Sequence, residues 1–179
     1  MTWHTRGSRT VYENRWIQVR EDAVHGPHGE GIYGVVRMMH PAVFVVALDA
    51  EDRVCLVAMD RYTTGRSWEV PAGGSDGEDP LLAAQRELRE ETGLTATEWT
   101  PLGTMNALNG IAEAPEHVFL ARGLTSGADA SATQREEGID EMTWVPFAEA
   151  LAMVSDGRIH DGETIAALAF AGIRLGRFA

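Results

Sequence analysis

Three glutamates lie on one predicted helix at positions that bring their carboxylates together. They are Glu87, Glu90 and Glu91, in the run RELREETG that reaches Gly93. Residues three and four apart on a helix are surface neighbours, so the three side chains converge on one small volume. Grouped carboxylates repel one another unless a cation lies between them, and Mg²⁺ prefers oxygen ligands. The spacing predicts a divalent-metal site, although a run of Glu and Arg is also typical of a solvated, salt-bridged helix face.

The helix that carries these glutamates has start and stop signals in the sequence. Asp79 is a typical N-cap residue, and Pro80 follows it at the first helical position. Gly93 can adopt the left-handed conformation that closes a helix. A glycine-rich turn, residues 73–77, precedes the N-cap. Because a flexible turn and a glycine stop bracket the acidic run, the metal-binding interpretation is favoured over the solvated face.

The whole segment resembles the signature of the Nudix hydrolases, G-x5-E-x7-R-E-U-x-E-E-x-G-U, where U is aliphatic. Glu78 and Arg86 have the required separation. The other matching residues are Glu87, Leu88, Glu90, Glu91, Gly93 and Leu94. The departure is at the start, where Ala72 stands in place of the first glycine and Gly73 matches only if the loop is one residue shorter. The resemblance therefore supports the helix fully and leaves the geometry of the turn open.

Composition restricts the class of protein. With 179 residues we expect one main domain, and the net charge of −12 argues against binding to nucleic acid polymers or anionic membranes. No apolar run approaches the roughly 20 residues that span a membrane, and the N-terminus lacks a signal-peptide core, so we expect a cytoplasmic location. All 15 basic residues are Arg, which excludes lysine chemistry. The lone Cys55 lies in an apolar run and is interpreted as a buried hydrophobe.

Apolar alternation predicts strands on both sides of the acidic helix. The predicted strands cover 8–20 (bent or divided near Glu13 and Asn14), 32–38, 42–48, 54–60, 99–107, 116–124 and 141–145, with loops over 61–66 and 125–134 and helices over 146–155 and 161–175. This order predicts a mixed α/β fold. The resemblance implies a Nudix-type α/β/α sandwich with a mixed sheet and an N-terminal β extension. We divide the chain into an N-terminal β segment, residues 1–38, and a Nudix domain, residues 39–179.

Features outside the motif resemble the ADP-ribose pyrophosphatase-like branch of the family. They are the sequence DRYTTGRSWEVPAG (60–73), which leads into the motif, the N-terminal β segment and the sequence DGETIAAL (161–168). For this branch the resemblance implies a homodimer that pairs through the N-terminal β segment. It also implies Mg²⁺, with Mn²⁺ as the alternative, bound by Glu87, Glu90, Glu91 and the backbone carbonyl of Ala72.

The same resemblance assigns further site residues. Arg61 and Glu69 match positions near the substrate, while Trp68 either stacks on a base or packs in the core. Besides binding metal, Glu91 is counted among the catalytic residues. Another carboxylate should position or deprotonate the attacking water.

That water-activating carboxylate is expected from the loop after the motif. The candidates are Glu113 and Glu116, and either could also be an exposed carboxylate without a role. Leu108 and Asn109 stand where the branch commonly has Ser-Pro, and the spacing differs by about one residue. We prefer Glu113 slightly on the sequence alone.

These features predict Mg²⁺-dependent hydrolysis of the pyrophosphate bond in a nucleoside diphosphate-linked small molecule, with ADP-ribose or a related nucleotide sugar first. The alternatives are the same chemistry on GDP-mannose, a dinucleoside polyphosphate or a modified nucleoside triphosphate, and a non-catalytic nucleotide-sensing module. The intact glutamates of the motif argue against the sensing module.

Overall fold

The computed structural model describes residues 2–127 and 130–178, without the side chain of Glu137. The strands are β1 (His4–Glu13), β2 (Ile17–Gly26), β3 (Gly29–Met38), β4 (Ala42–Ala47), β5 (Arg53–Arg61), β6 (Gly65–Glu69), β7 (Ala72–Gly74), β8 (Leu94–Asn106), β9 (Ala112–Glu113), β10 (Pro115–Ser126) and β11 (Ile139–Pro146). The helices are α1 (Pro80–Thr92), α2 (Ser131–Glu137), α3 (Phe147–Ser155) and α4 (Gly162–Arg174). Within the described ranges, no helix is long and apolar enough to cross a membrane.

The N-terminal β segment forms an antiparallel sheet in the order β1-β2-β3. The predicted division near Asn14 is correct, because the Asn14 side chain accepts hydrogen bonds from the backbone N–H groups of Trp16 and Ile17 and so makes the turn. The short strand β9 adds to the far edge of this sheet, parallel to β3. A segment from the middle of the chain therefore belongs to the N-terminal sheet.

The centre of the molecule has two further sheets, ordered β7-β4-β10-β8 and β11-β5-β6. Strand β4 runs parallel to β10 and antiparallel to β7. Its side chains alternate: Val43 and Val45 pack in the cluster beneath α1, while Val46 packs in the cluster beneath α3 and α4. Helices cover both faces, which confirms the predicted α/β/α sandwich with mixed sheets.

Helix α1 has the predicted caps. The Asp79 side chain accepts a hydrogen bond from the backbone N–H of Leu81 at 2.9 Å, and Pro80 is the first helical residue. Gly93 has φ of 71°, a left-handed conformation that disfavours side chains with a Cβ. The helix that carries the three glutamates is thus fixed at both ends by local sequence.

Two predicted loops and one predicted strand boundary are wrong. Residues 61–66 belong to a hairpin in which β6 pairs with β5 through a turn at 62–64. In 125–134, β10 continues to Ser126 and α2 begins at Ser131, whereas 128 and 129 lie outside the described residues. Strand β8 begins at Leu94 rather than 99, because its polar first half pairs with β10. In β6 and β8, pairing with another strand satisfies backbone groups in a segment whose composition suggests a loop or leaves it unassigned.

Candidate active site

The glutamates of α1 flank its apolar stripe. Leu88 packs in the core, and Glu87 and Glu91 lie one position before and three after it, so both are buried. Glu91 is only 2% exposed, and its Oε2 accepts a hydrogen bond from the backbone N–H of Ala72 at 3.0 Å. Glu90 lies on the flank and is more exposed. Helix periodicity therefore directs two carboxylates to the turn at β7.

The turn at β7 is shaped by these carboxylates. A Cβ added at Gly73 would collide with the carboxylate of Glu87, whereas a Cβ at Gly74 would make only an ordinary contact with Asp76 at 3.5 Å. Gly73 is therefore the glycine that the close approach requires. The Ala at position 72 lies beside Glu91, so the irregular start of the motif is compatible with the packing of α1 against the turn.

Arg86 is the cation that faces the motif glutamates in this structure. Its Nη1 donates to Glu87 Oε1 at 2.8 Å and to Glu90 Oε2 at 3.1 Å, and its Nε donates to Glu78 at 3.0 Å. The second amino group donates to the carbonyl of Gly74 at 2.8 Å. One guanidinium thus ties α1, the preceding loop and the β7 turn together.

The donor chemistry of this site fits a hard divalent cation. Glu87, Glu90 and Glu91 offer only oxygen ligands from one helix, and the Gly73 turn leaves room for the Glu87 carboxylate. Within residues 2–127 and 130–178, no three His, Cys, Asp or Glu side chains are arranged as a formed metal site. Because Arg86 bridges Glu87 and Glu90, binding of a cation between them requires these hydrogen bonds to rearrange.

A second charged group joins the two strands of the β5–β6 hairpin. Arg61 donates to Glu69 Oε2 at 2.7 Å, and Glu69 is buried. Burial lowers the pKa of Arg61, but Glu69, and through space Glu91 and Asp161, raise it above its usual value. Arg61 thus interacts electrostatically both with a carboxylate of α1 and with the carboxylate that caps α4. Trp68 is half-buried and packs against the core cluster beneath α3 and α4.

Glu116 has an unusual environment. It is 6% exposed, and its Oε2 is buried without a hydrogen-bond partner among the described residues. It lines a cavity of about 290 Å³ together with Glu163 and mainly apolar side chains, including Met38, Leu108 and Ile111. Burial raises the pKa of Glu116 to about 7, and the charges of Glu163 and Asp161 add to this effect.

Glu113 has the opposite environment, although it lies three residues before Glu116. It is half-exposed and accepts two hydrogen bonds from the guanidinium of Arg20, at 2.9 and 2.5 Å. This pairing lowers the pKa of Glu113 below its usual value. The two sequence-predicted candidates are therefore electrostatically distinct.

Three charged residues near the site, Asp161, Glu163 and Arg20, were not predicted from the sequence to have a role in it. Asp161 caps α4 by accepting from the backbone N–H of Thr164 at 2.7 Å, and the Thr164 hydroxyl accepts from the N–H of Val70 at 3.2 Å. These bonds dock the start of α4 next to the motif and bring Glu163 to Glu116. The capping position of Asp161 could be recognised from the sequence. The proximity of Glu163 to Glu116 and of Arg20 to Glu113 exists only in the folded chain.

A larger cavity adjoins the first one. It has a volume of about 610 Å³ and lies between Arg15 and Trp16 of the N-terminal segment and Gly74 and Asp76 of the motif turn. The two cavities share Met38, His40 and Ala42 as lining residues. Both cavities are lined by residues of the N-terminal β segment and of the central sheets.

Comparison with known families identifies this arrangement. A model of the NUDIX domain matches residues 38–168, and a model described as the nucleoside diphosphate sugar hydrolase N-terminal domain matches residues 3–36. The chain belongs to the Nudix family. It is a Nudix pyrophosphohydrolase that is similar to ADP-ribose pyrophosphatases along most of its length.

Individual relatives agree with this assignment. An ADP-ribose pyrophosphatase of Mycobacterium tuberculosis is 36% identical, over 96% of this chain and 81% of the relative. A CMP-5'-(N-acetyl-N-hydroxy-3-aminopropyl)phosphonate hydrolase of Streptomyces rubellomurinus is 32% identical, over 97% of this chain and 84% of the relative. A crystal structure of an ADP compounds hydrolase has a TM-score of 0.85 at 20% identity, covering 99% of this chain and 96% of the other, and supports the fold.

The close approach of the turn to α1 makes a specific prediction for Gly73→Ala. The new Cβ would displace the Glu87 carboxylate, so we expect hydrolytic activity to fall by about a hundredfold, as for other small displacements in active sites. Gly74→Ala is the matched control, since its Cβ has room, and should retain nearly full activity. Steady-state kinetics of both variants provide the measurement. Equal activities for the two variants would contradict the assigned role of the Glu87 position.

Proposed function

We propose that this protein hydrolyses the pyrophosphate bond of a nucleoside diphosphate derivative, with ADP-ribose or a related nucleotide sugar as substrate, and that the reaction requires Mg²⁺ or Mn²⁺. The observation that carries the proposal is the convergence of Glu87 and Glu91 on the β7 turn within a Nudix motif. Similarity to the mycobacterial ADP-ribose pyrophosphatase over nearly the whole chain supports this substrate class.

The residues that would hold the metal are Glu87, Glu90, Glu91 and the carbonyl of Ala72. When bound, the metal supplies neutralisation of the diphosphate charge and lowers the pKa of a coordinated water. The two adjoining cavities on either side of Ala42 suit a substrate made of two moieties joined by a diphosphate. Arg61, held by buried Glu69 at the edge of the motif, is the proposed cationic contact for this substrate.

We further propose that Glu116, rather than Glu113, accepts the proton from the attacking water. A general base works best when its pKa is close to the working pH, and burial gives Glu116 a pKa of about 7. Its buried Oε2 also has no hydrogen bond within the described part of the chain that must first be broken. Glu113 is a weaker base because Arg20 stabilises its ionised form. These contrasts reverse the slight preference for Glu113 that the sequence alone suggested.

The substrate proposal is tested by a screen of nucleoside diphosphate sugars, dinucleotides and modified triphosphates with Mg²⁺ or Mn²⁺, with products identified by mass. AMP and ribose 5-phosphate should form from ADP-ribose faster than products form from GDP-mannose or the other compounds.

Glu91→Gln keeps the size of the side chain but removes its charge, and should lower turnover by roughly a thousandfold with the fold intact. Unchanged turnover of this variant at saturating Mg²⁺ would contradict the metal site. Tight nucleotide binding by the natural protein without hydrolysis would favour the sensing module instead.

The role of Glu116 predicts a pH dependence. A carboxyl with a raised pKa is protonated below that pKa and cannot accept a proton, so kcat/KM should rise with pH through about 7. Glu116→Gln should lower kcat by roughly 10²- to 10⁴-fold and remove this rise. Glu113→Gln should keep the rise. If the rise of kcat/KM with pH persisted in Glu116→Gln and disappeared in Glu113→Gln, the base would be Glu113.

We also propose a homodimer that pairs through the N-terminal β segment. Strand β1 is exposed along its whole length. The sheet also exposes large apolar side chains, among them Trp3, Val11, Trp16 and Ile32. Exposed apolar surface of this kind is typical of association sites. Sedimentation at micromolar concentration should therefore give a dimer, and a monomer under these conditions would contradict the proposal.

A further inference from the structure

A chain of hydrogen bonds connects the N-terminal sheet to Glu113. The Ser8 hydroxyl of β1 donates to Asp22 Oδ1 on β2 at 2.6 Å. Asp22 accepts from Arg20 Nε at 3.1 and 3.2 Å, and the two amino groups of Arg20 hold the carboxylate of Glu113. Two side chains of this network are largely buried, with exposures of 19% for Arg20 and 10% for Asp22. Asp22 thus orients the guanidinium of Arg20, which binds Glu113, a residue 93 positions further along the chain.

Two more contacts attach the same segment to the same sheet. The backbone N–H of Val36 donates to the carbonyl of Ile111 at 2.9 Å, within the parallel pairing of β3 and β9. The Tyr33 hydroxyl donates to the carbonyl of Gly110. We call residues 107–114 the connecting segment, since it joins β8 to β10. Strands of the N-terminal sheet hold it at Gly110, Ile111 and Glu113.

The position of the connecting segment determines the surroundings of Glu116. Leu108, Ile111 and Ala114 line the cavity that Glu116 faces, and the segment leads directly into the strand that carries Glu116. A shift at Glu113 would therefore change the walls of this cavity. Such a shift is resisted because it would break the two hydrogen bonds between Glu113 and the guanidinium of Arg20, which is 19% exposed and is itself held by Asp22.

We propose that Arg20 is a positioning residue for hydrolysis: by holding Glu113, it fixes the connecting segment and the cavity in which Glu116 accepts a proton. This inference rests on the proposed role of Glu116. It gives the N-terminal sheet a part in the reaction within one chain, independent of pairing between chains. Arg20 itself stays outside the reacting groups and acts through Glu113.

Arg9 provides a matched control on the same sheet. It forms an ion pair with Glu21 at 2.6 Å, but both side chains are exposed. Glu21 follows Arg20 in β2, and successive residues of a strand point to opposite faces. The pair of Arg9 and Glu21 therefore faces away from the connecting segment, and exposed ion pairs contribute little to stability.

The test compares Arg20→Gln, Glu113→Gln, the double variant and Arg9→Gln in the full chain, with kcat, KM, a pH profile and thermal unfolding for each. We expect Arg20→Gln and Glu113→Gln to lower kcat by similar factors, about ten- to a hundredfold. The double variant should be no worse than either single one, because the pair acts as one unit. The rise of activity with pH should persist in all of them, since Glu116 is intact, and Arg9→Gln should behave as the natural protein does.

Other outcomes have separate meanings. Full activity of Arg20→Gln would overturn the positioning role. An equal loss of kcat in Arg9→Gln would also overturn it, and so would a loss of kcat in Arg20→Gln that matches the fraction of unfolded protein. A loss in Glu113→Gln far beyond that in Arg20→Gln, together with loss of the pH-dependent rise, would overturn both the positioning role and the assignment of Glu116. If Glu116→Gln stays active while Arg20→Gln and Glu113→Gln show the paired loss, the proposed base fails and with it the part of the inference that concerns Glu116, whereas the positioning of the connecting segment by Arg20 stands.

Discussion

Burial of negative charge is the constraint on which this site depends. Glu69, Glu87, Glu91 and Glu116 are all buried in a chain that carries a net charge of −12. A buried carboxylate costs free energy unless it is paired or protonated. Arg61 pairs with Glu69, Arg86 with Glu87, and the N–H of Ala72 with Glu91. The local folds of the hairpin, the helix and the turn are what bring these partners into contact.

The same constraint separates the carboxylates by chemical role. Those on α1 accept hydrogen bonds from Arg86 and from the N–H of Ala72, and their grouped oxygens are the ligands that a hard divalent cation prefers. Glu116 faces apolar walls and the carboxylate of Glu163, so its charged form is disfavoured and it can take up a proton near neutral pH. Glu113 shows how local this control is: it lies only three residues before Glu116, but its pairing with Arg20 lowers its pKa instead of raising it. Pairs of carboxylates whose environments separate their pKa values are a common basis for dividing acid–base roles.

Local signals made much of this arrangement predictable from the sequence. The caps of α1, its three glutamates and the main strands depend on residues close in the chain, and the fold class followed from their order. Strand β6 and helix α2 were missed because long-range pairing and packing, not propensity, decide them. Arg20 and Glu163 were missed for the same reason: each meets its carboxylate partner only after strands distant in sequence have paired. The sequence could name Glu113 and Glu116 as candidates, but their opposite environments exist only in the folded chain.

Substrate choice cannot come from the helix that identifies the family. Relatives that are similar to almost the whole of this chain carry names for different substrates, an ADP-ribose pyrophosphatase and a CMP-linked phosphonate hydrolase. The proposed metal-binding role of the helix concerns the diphosphate, which is common to all of these substrates, and so does not distinguish between them. Discrimination must therefore come from other surfaces such as the two cavities, where the N-terminal β segment supplies walls of both and the connecting segment supplies walls of the smaller one. In the proposed role of Arg20, the hydrogen bonds to Glu113 that order the surroundings of Glu116 would also order part of the surface available to the substrate.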